Sequence, residues 1–96
     1  MNKVYILKFL KDHKKELKEN FGLVRIGLFG SYAKDMANDE SDIDIYVEFK
    51  DKNFKNIAGL WNYLEEQFSK KVDLFYIHKN MRKSLKNNIE KEVIYG

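Results

Sequence analysis

Cysteine and proline are both absent from the 96 residues. Without cysteine there is no disulfide, no thiolate nucleophile and no Cys-bound zinc. That usage suits a reducing compartment. Glycine is sparse, with five residues scattered along the chain. No Gly/Pro linker, internal repeat or low-complexity tract divides the sequence. No apolar run approaches the roughly 20 residues of a membrane span. The first 21 residues carry six Lys on a broken apolar pattern, unlike a secretory leader. The expected setting is the cytoplasm, with no membrane partner.

What is present is a core-forming composition, 44% hydrophobic and 15% aromatic. A chain of this length buries roughly 60–65% of its unfolded surface. The expectation is a single minimal domain over 1–96, with no room for a separate substrate domain. Net charge is +3. Residues 35–51 concentrate seven acids (Asp35, Asp39, Glu40, Asp42, Asp44, Glu48, Asp51) against one base, Lys50. A nucleic-acid binder would place bases in such a stretch, so direct nucleic-acid binding is disfavoured.

Helical and strand periods alternate along the chain. Residues 2–20 read as a helix, with Val4, Leu7, Leu10 and Leu17 near helical spacing and Gly22 ending it. Leu23–Phe29 reads as a buried strand. Ser31 is placed to cap a short helix over 32–37. Asp42–Phe49 alternates, with Ile43, Ile45, Val47 and Phe49 on one face and Asp42, Asp44, Tyr46 and Glu48 on the other. The stripe Phe54, Ile57, Trp61, Leu64, Phe68 predicts a helix with those side chains in the core. Val72–Ile77 reads as a third strand. Leu85, Ile89 and Val93 predict a last helix over 81–94.

Three features carry chemistry. Asp42 and Asp44 lie two apart on one strand face, roughly 6.6 Å between Cα atoms. Carboxylates so spaced can converge on hard cations, and magnesium takes oxygen ligands while leaving positions for phosphate oxygens. Gly30-Ser31, between a strand and a short helix, lets a phosphate approach the backbone and offers N–H and hydroxyl donors. Asp73 is an acid within an apolar strand, a third ligand candidate. Each has a plainer reading: a solvated sheet face, a helix cap, an edge-strand acid. His13 and His78 have no partner at metal spacing and read as surface residues. Tyr32 suits nucleotide stacking and ordinary packing about equally.

Together the features resemble the nucleotidyltransferase superfamily related to DNA polymerase beta. The matching stretches are Leu28-Phe29-Gly30-Ser31-Tyr32-Ala33, Ser41-Asp42-Ile43-Asp44-Ile45-Tyr46-Val47 and Val72-Asp73-Leu74. The short length points to the minimal nucleotidyltransferases, the MNT proteins. The resemblance implies an α/β (α+β) fold, a small mixed sheet with helices packed on one face. It implies magnesium-dependent nucleotidyl transfer with ATP as donor and two metal ions. By the same resemblance Asp42, Asp44 and Asp73 are catalytic metal ligands, with Asp73 also a base toward the acceptor hydroxyl. Gly30 and Ser31 would hold the phosphates. The family often carries Arg-Gly after the Ala. Here Lys34-Asp35 keeps a positive charge but loses the planar guanidinium and the flexible glycine.

MNT proteins are often encoded beside a HEPN-type toxin and act as its antitoxin. They transfer AMP to a tyrosine of the toxin and block its RNase activity. The expected function is therefore an AMP-transferring antitoxin with a HEPN-type toxin as protein partner. One alternative is a small-molecule nucleotidyltransferase, whose acceptor pocket an oligomer such as a dimer would have to build. Another is a non-catalytic antitoxin acting by binding alone. Nucleic-acid polymerisation fits neither the length nor the acidic mid-chain stretch.

Overall fold

The computed structural model describes residues 1–51, 53–76 and 80–96. The elements run α1 (Lys3–Phe21), β1 (Leu23–Phe29), α2 (Gly30–Ala33), β2 (Ile43–Phe49), α3 (Phe54–Phe68), β3 (Val72–Phe75), α4 (Lys83–Glu92) and β4 (Ile94–Tyr95). Local chemistry sets the ends of both long helices. Asn2 Oδ1 accepts from the Tyr5 amide at 2.9 Å and caps α1. Gly22 stops that helix at φ 70°, its N–H returning to the Lys18 carbonyl. Asn53 Oδ1 caps α3 through the Asn56 amide at 2.8 Å.

The sheet has the order β3-β2-β1-β4. β1 is antiparallel to β2 and β4, whereas β2 and β3 are parallel. The sheet is mixed, as the resemblance implies. α3 is the crossover between the parallel strands, the connection such a pair requires. The main core lies on the face covered by α1 and α3. It joins Ile6, Leu10 and Leu17 with Ile26, Leu28, Ile43, Ile45, Val47, Leu60, Leu64, Phe68 and Val72.

The helices do not all pack on one face as the resemblance implies: α4 covers the second face. There Ile89 packs with Phe29 and Tyr46, flanked by Phe75, Leu85 and Val93. These strand residues alternate with the core-facing Leu28, Ile45 and Leu74, which places α4 opposite α1 and α3.

Several sequence expectations need correction. Val4 is 71% exposed, because the buried face of α1 is Ile6, Leu10 and Leu17. Phe54, the first residue of α3, is 85% exposed, and Trp61 sits at the surface. The expected stripe holds at Ile57, Leu64 and Phe68, and Leu60 rather than Trp61 completes the packing face of α3. The short helix begins earlier than expected, at Gly30, and Ser31 lies inside it rather than capping it. Residues 94–95 are not helical: β4 pairs with Gly27 and Leu28 of β1. The third strand ends at Phe75; Ile77 and His78 lie outside the described residues. Tyr32 is buried in the main core, so packing is its role. His13 Nδ1 lies 2.9 Å from the Phe9 carbonyl, and its ring stacks on Phe9.

Gly27 is where β4 closes on the sheet. A Cβ there would lie 2.5 Å from Val93 Cγ2 and 3.0 Å from the Ile94 carbonyl oxygen. A branched side chain and a backbone atom cannot yield cheaply. Gly27→Ala is expected to cost about 1–3 kcal/mol and to speed exchange of the Gly96 amide, which bonds the Ile26 carbonyl. Melting curves and hydrogen exchange check this, with the exposed Val24→Ala as a near-neutral reference.

Candidate active site

The acids assemble at one end of the central strands. Asp44 lies in the middle row of the sheet, opposite Phe29 of β1 and Asp73 of β3. The parallel register thus sets Asp44 and Asp73 side by side on neighbouring strands, whose backbones lie about 4.8 Å apart. Asp42 precedes β2 by one residue, on the same side as Asp44 by alternation.

The turn before β2 fixes where Asp42 falls. Ser41 Oγ accepts from the Asn38 amide at 3.0 Å, and Asn38 Oδ1 accepts from the Glu40 amide at 2.9 Å. The Ser41 amide returns to the Asn38 carbonyl at 3.0 Å. These side chains close the turn on itself. Lys70 Nζ then donates to the Asp39 carbonyl at 2.6 Å, tying the turn to the approach of β3. Lys71 Nζ stands 3.9 Å from Asp42 Oδ2. Asn38, Ser41, Lys70 and Lys71 thus support the acids. An Asn followed three residues later by Ser just before a strand is the sequence signal for such a turn.

Gly30 is required by close approach and by conformation. Its φ is 75°, a region side chains rarely adopt. A Cβ there would overlap Asp44 Oδ2 and sit 2.9 Å from its Cγ. The loop backbone therefore lies directly on the Asp44 carboxylate. α2 is a single turn, closed by the Lys34 amide to the Gly30 carbonyl at 3.3 Å and the Met36 amide to the Ser31 carbonyl at 2.9 Å. The Ser31 hydroxyl makes no hydrogen bond to the described residues.

The Lys34-Asp35 pair has a local explanation. Asp35 adopts φ 57°, so this position needs the left-handed conformation that glycine takes freely and Asp tolerates. Its carboxylate pairs with Lys3 Nζ at 3.1 Å. Lys34 Nζ pairs with Glu92 Oε1 at 2.9 Å, fastening the loop to the end of α4.

Electrostatics follow from this crowding. Asp44 is pushed from an ordinary 3.8 to about 6 by burial first, then by the charges of Asp73 and Asp42. Three neighbouring oxygen-donor side chains suit a hard cation such as magnesium. Among the described residues, no three His, Asp or Glu side chains close on one point.

The nucleotidyltransferase domain family matches residues 10–95. The protein adenylyltransferase MntA of Thermococcus cleftensis is 42% identical over 86 residues, covering 88% of this chain and 82% of the relative. A solved structure assigned to a minimal nucleotidyltransferase superposes with TM-score 0.73 at 26% identity, covering 98% of this chain and 95% of that one. A crystal structure of a toxin–antitoxin with AMP-PNP superposes with TM-score 0.68 at 26% identity, covering 99% and 72%. The mixed sheet and its helices are the fold of a minimal nucleotidyltransferase. The chain belongs to the nucleotidyltransferase family, in its minimal form.

Asp44 gives a signed test. Its folded pKa lies above its unfolded one, so the folded state holds the proton more tightly between 3.8 and about 6. Stability falls as pH rises through that window and stays lower above it. Asp44→Asn removes the effect. In metal-free buffer the variant should melt higher than the parent above pH 6, with the gap closing toward 3.8. A variant that melts lower at neutral pH would make the carboxylate a structural acid.

Proposed function

We propose that this protein transfers AMP from ATP to a hydroxyl of a partner protein, a tyrosine of a HEPN-type toxin, and acts as its antitoxin. The observation that carries the reading is the Asp44–Asp73 register beside Gly30. It sets two acids from neighbouring strands against a loop that closes directly onto one of them. Relatives named as a protein adenylyltransferase and as a toxin–antitoxin pair support the donor and the partner.

Asp42, Asp44 and Asp73 would hold magnesium, which when bound neutralises charge on the phosphates and the leaving pyrophosphate. Gly30 and Ser31 would offer backbone N–H groups and a hydroxyl to the β- and γ-phosphates. The acceptor hydroxyl oxygen attacks the α-phosphorus. A P–O bond forms there and the bond to the bridging oxygen of the β-phosphate breaks. Pyrophosphate leaves, and the hydroxyl proton passes to Asp73 as general base. The partner brings its own acceptor surface.

Radiolabelled ATP with the partner toxin tests the activity. The parent should label the toxin, and the Asp42→Asn, Asp44→Asn double variant should not. A double variant that labels and neutralises as the parent does would end the catalytic account. Asp73→Asn should bind Mg-ATP nearly as the parent does, yet transfer AMP about 10²–10⁴-fold more slowly in single turnover. Equal loss of binding and transfer would make Asp73 a metal ligand first.

Ser31→Ala separates ligand binding from folding. Ser31 does not cap α2, so its loss should leave the melting temperature close to the parent's. ATP affinity should fall by the roughly 1.5–3 kcal/mol of a charge-assisted hydrogen bond. Unchanged ATP affinity would remove Ser31 from the phosphate site.

A further inference from the structure

β3 is an outer strand, paired with β2 on one side only. On the inner side the Ile43 amide bonds the Lys71 carbonyl at 3.0 Å. At the next residue, Val72, side chains of α3 take both backbone groups. The Trp61 Nε1–H donates to the Val72 carbonyl at 2.6 Å. The Val72 amide donates to Glu65 Oε2 at 3.0 Å. Trp61 and Glu65 are four residues apart, neighbours on one helix face. A single turn of α3 thus grips one strand residue by donor and acceptor together.

The gripped residue is next to Asp73, which stands in register with Asp44. Core packing alone does not account for either side chain. Trp61 is 37% exposed, and the packing positions of α3 are Leu60, Leu64 and Phe68. A one-residue slip of β3 would turn Asp73 to the other face of the sheet. Holding Val72 by both its N–H and its C=O opposes that slip at the position where it matters.

We propose that Trp61 and Glu65 are positioning residues for nucleotidyl transfer. They lock Val72 and thereby hold Asp73 in place against Asp44. The inference rests on the role given to Asp73 above.

Three variants test it. Glu65→Ala removes the acceptor, Glu65→Gln keeps an oxygen acceptor without the charge, and Trp61→Phe keeps a ring without the N–H. Each is measured by single-turnover AMP transfer to the partner toxin at saturating Mg-ATP, by ATP titration and by exchange of the Val72 amide. Glu65→Ala and Trp61→Phe should slow transfer about 10–100-fold, as loss of supporting contacts around a metal site does. ATP affinity should hold, Val72 exchange should quicken in Glu65→Ala, and Glu65→Gln should return to near the parental rate. If Glu65→Ala fails to fold, Trp61→Phe and Glu65→Gln carry the test. An active parent with variants at the parental rate overturns the inference alone. Glu65→Gln as slow as Glu65→Ala also overturns it, because charge rather than the hydrogen bond would then matter. A parent that transfers no AMP overturns the functional reading beneath it.

Discussion

Like charges held together on one sheet face are the constraint around which the rest is arranged. Asp44 faces Asp73 across a parallel ladder, with Asp42 beside it. Burial and those two charges push Asp44 up to about 6. In isolation this arrangement opposes folding, so other forces must impose it. The apolar face of the same strands does so. Ile43, Ile45 and Val72 are fully buried under α1 and α3, and their alternation leaves the acids only the opposite side. The hydrophobic core thus sets the register, and the register sets the electrostatics.

Much of this was legible in the sequence. The β1 and α3 boundaries and the acid face of β2 follow from period-2 and helical spacing, whereas the place of Asp73 with Asp42 and Asp44 was implied by the family resemblance. What escaped has physical reasons. β4 is two residues long, too short for alternation to show, and it is defined by Gly27 on β1 rather than by its own side chains. On α3, Leu60 takes the buried place expected of Trp61, whose N–H reaches the Val72 carbonyl at the helix flank. Ser31 has the composition of a cap, but the helix starts at Gly30, which has a positive φ and lies against Asp44 too closely for a side chain. Each miss is a tertiary contact overriding a local preference.

The second face is built differently from the first. Its cluster of Phe29, Tyr46, Phe75 and Ile89 is small and aromatic, and it adjoins the polar row of Arg25 and Glu48. Arg25 donates to Glu48 through Nε at 2.9 Å and Nη2 at 2.6 Å, while its guanidinium lies 4.1 Å from the centre of the Tyr95 ring. Tyr46 also donates to Glu48 at 3.0 Å. These contacts tie β1, β2 and β4 on the side where the carboxylates open. Charged surface pairs contribute modestly, but here one Arg spans three strands.

The parallel pairing of β2 with β3 bears on how the molecule comes to be. β1 and β2 form an antiparallel pair, whereas the two acids meet only after the whole of α3 has been laid down and docked. Non-local parallel pairing forms slowly, because the loop must close before its contacts repay the lost entropy. On a chain emerging from synthesis, the acidic pair cannot form before β3 follows α3. Until β3 arrives, the outer edge of β2 is an open strand edge that carries Asp44 and Glu48 among apolar residues. Asp42 and Asp44 give that edge a charge that discourages pairing with another chain.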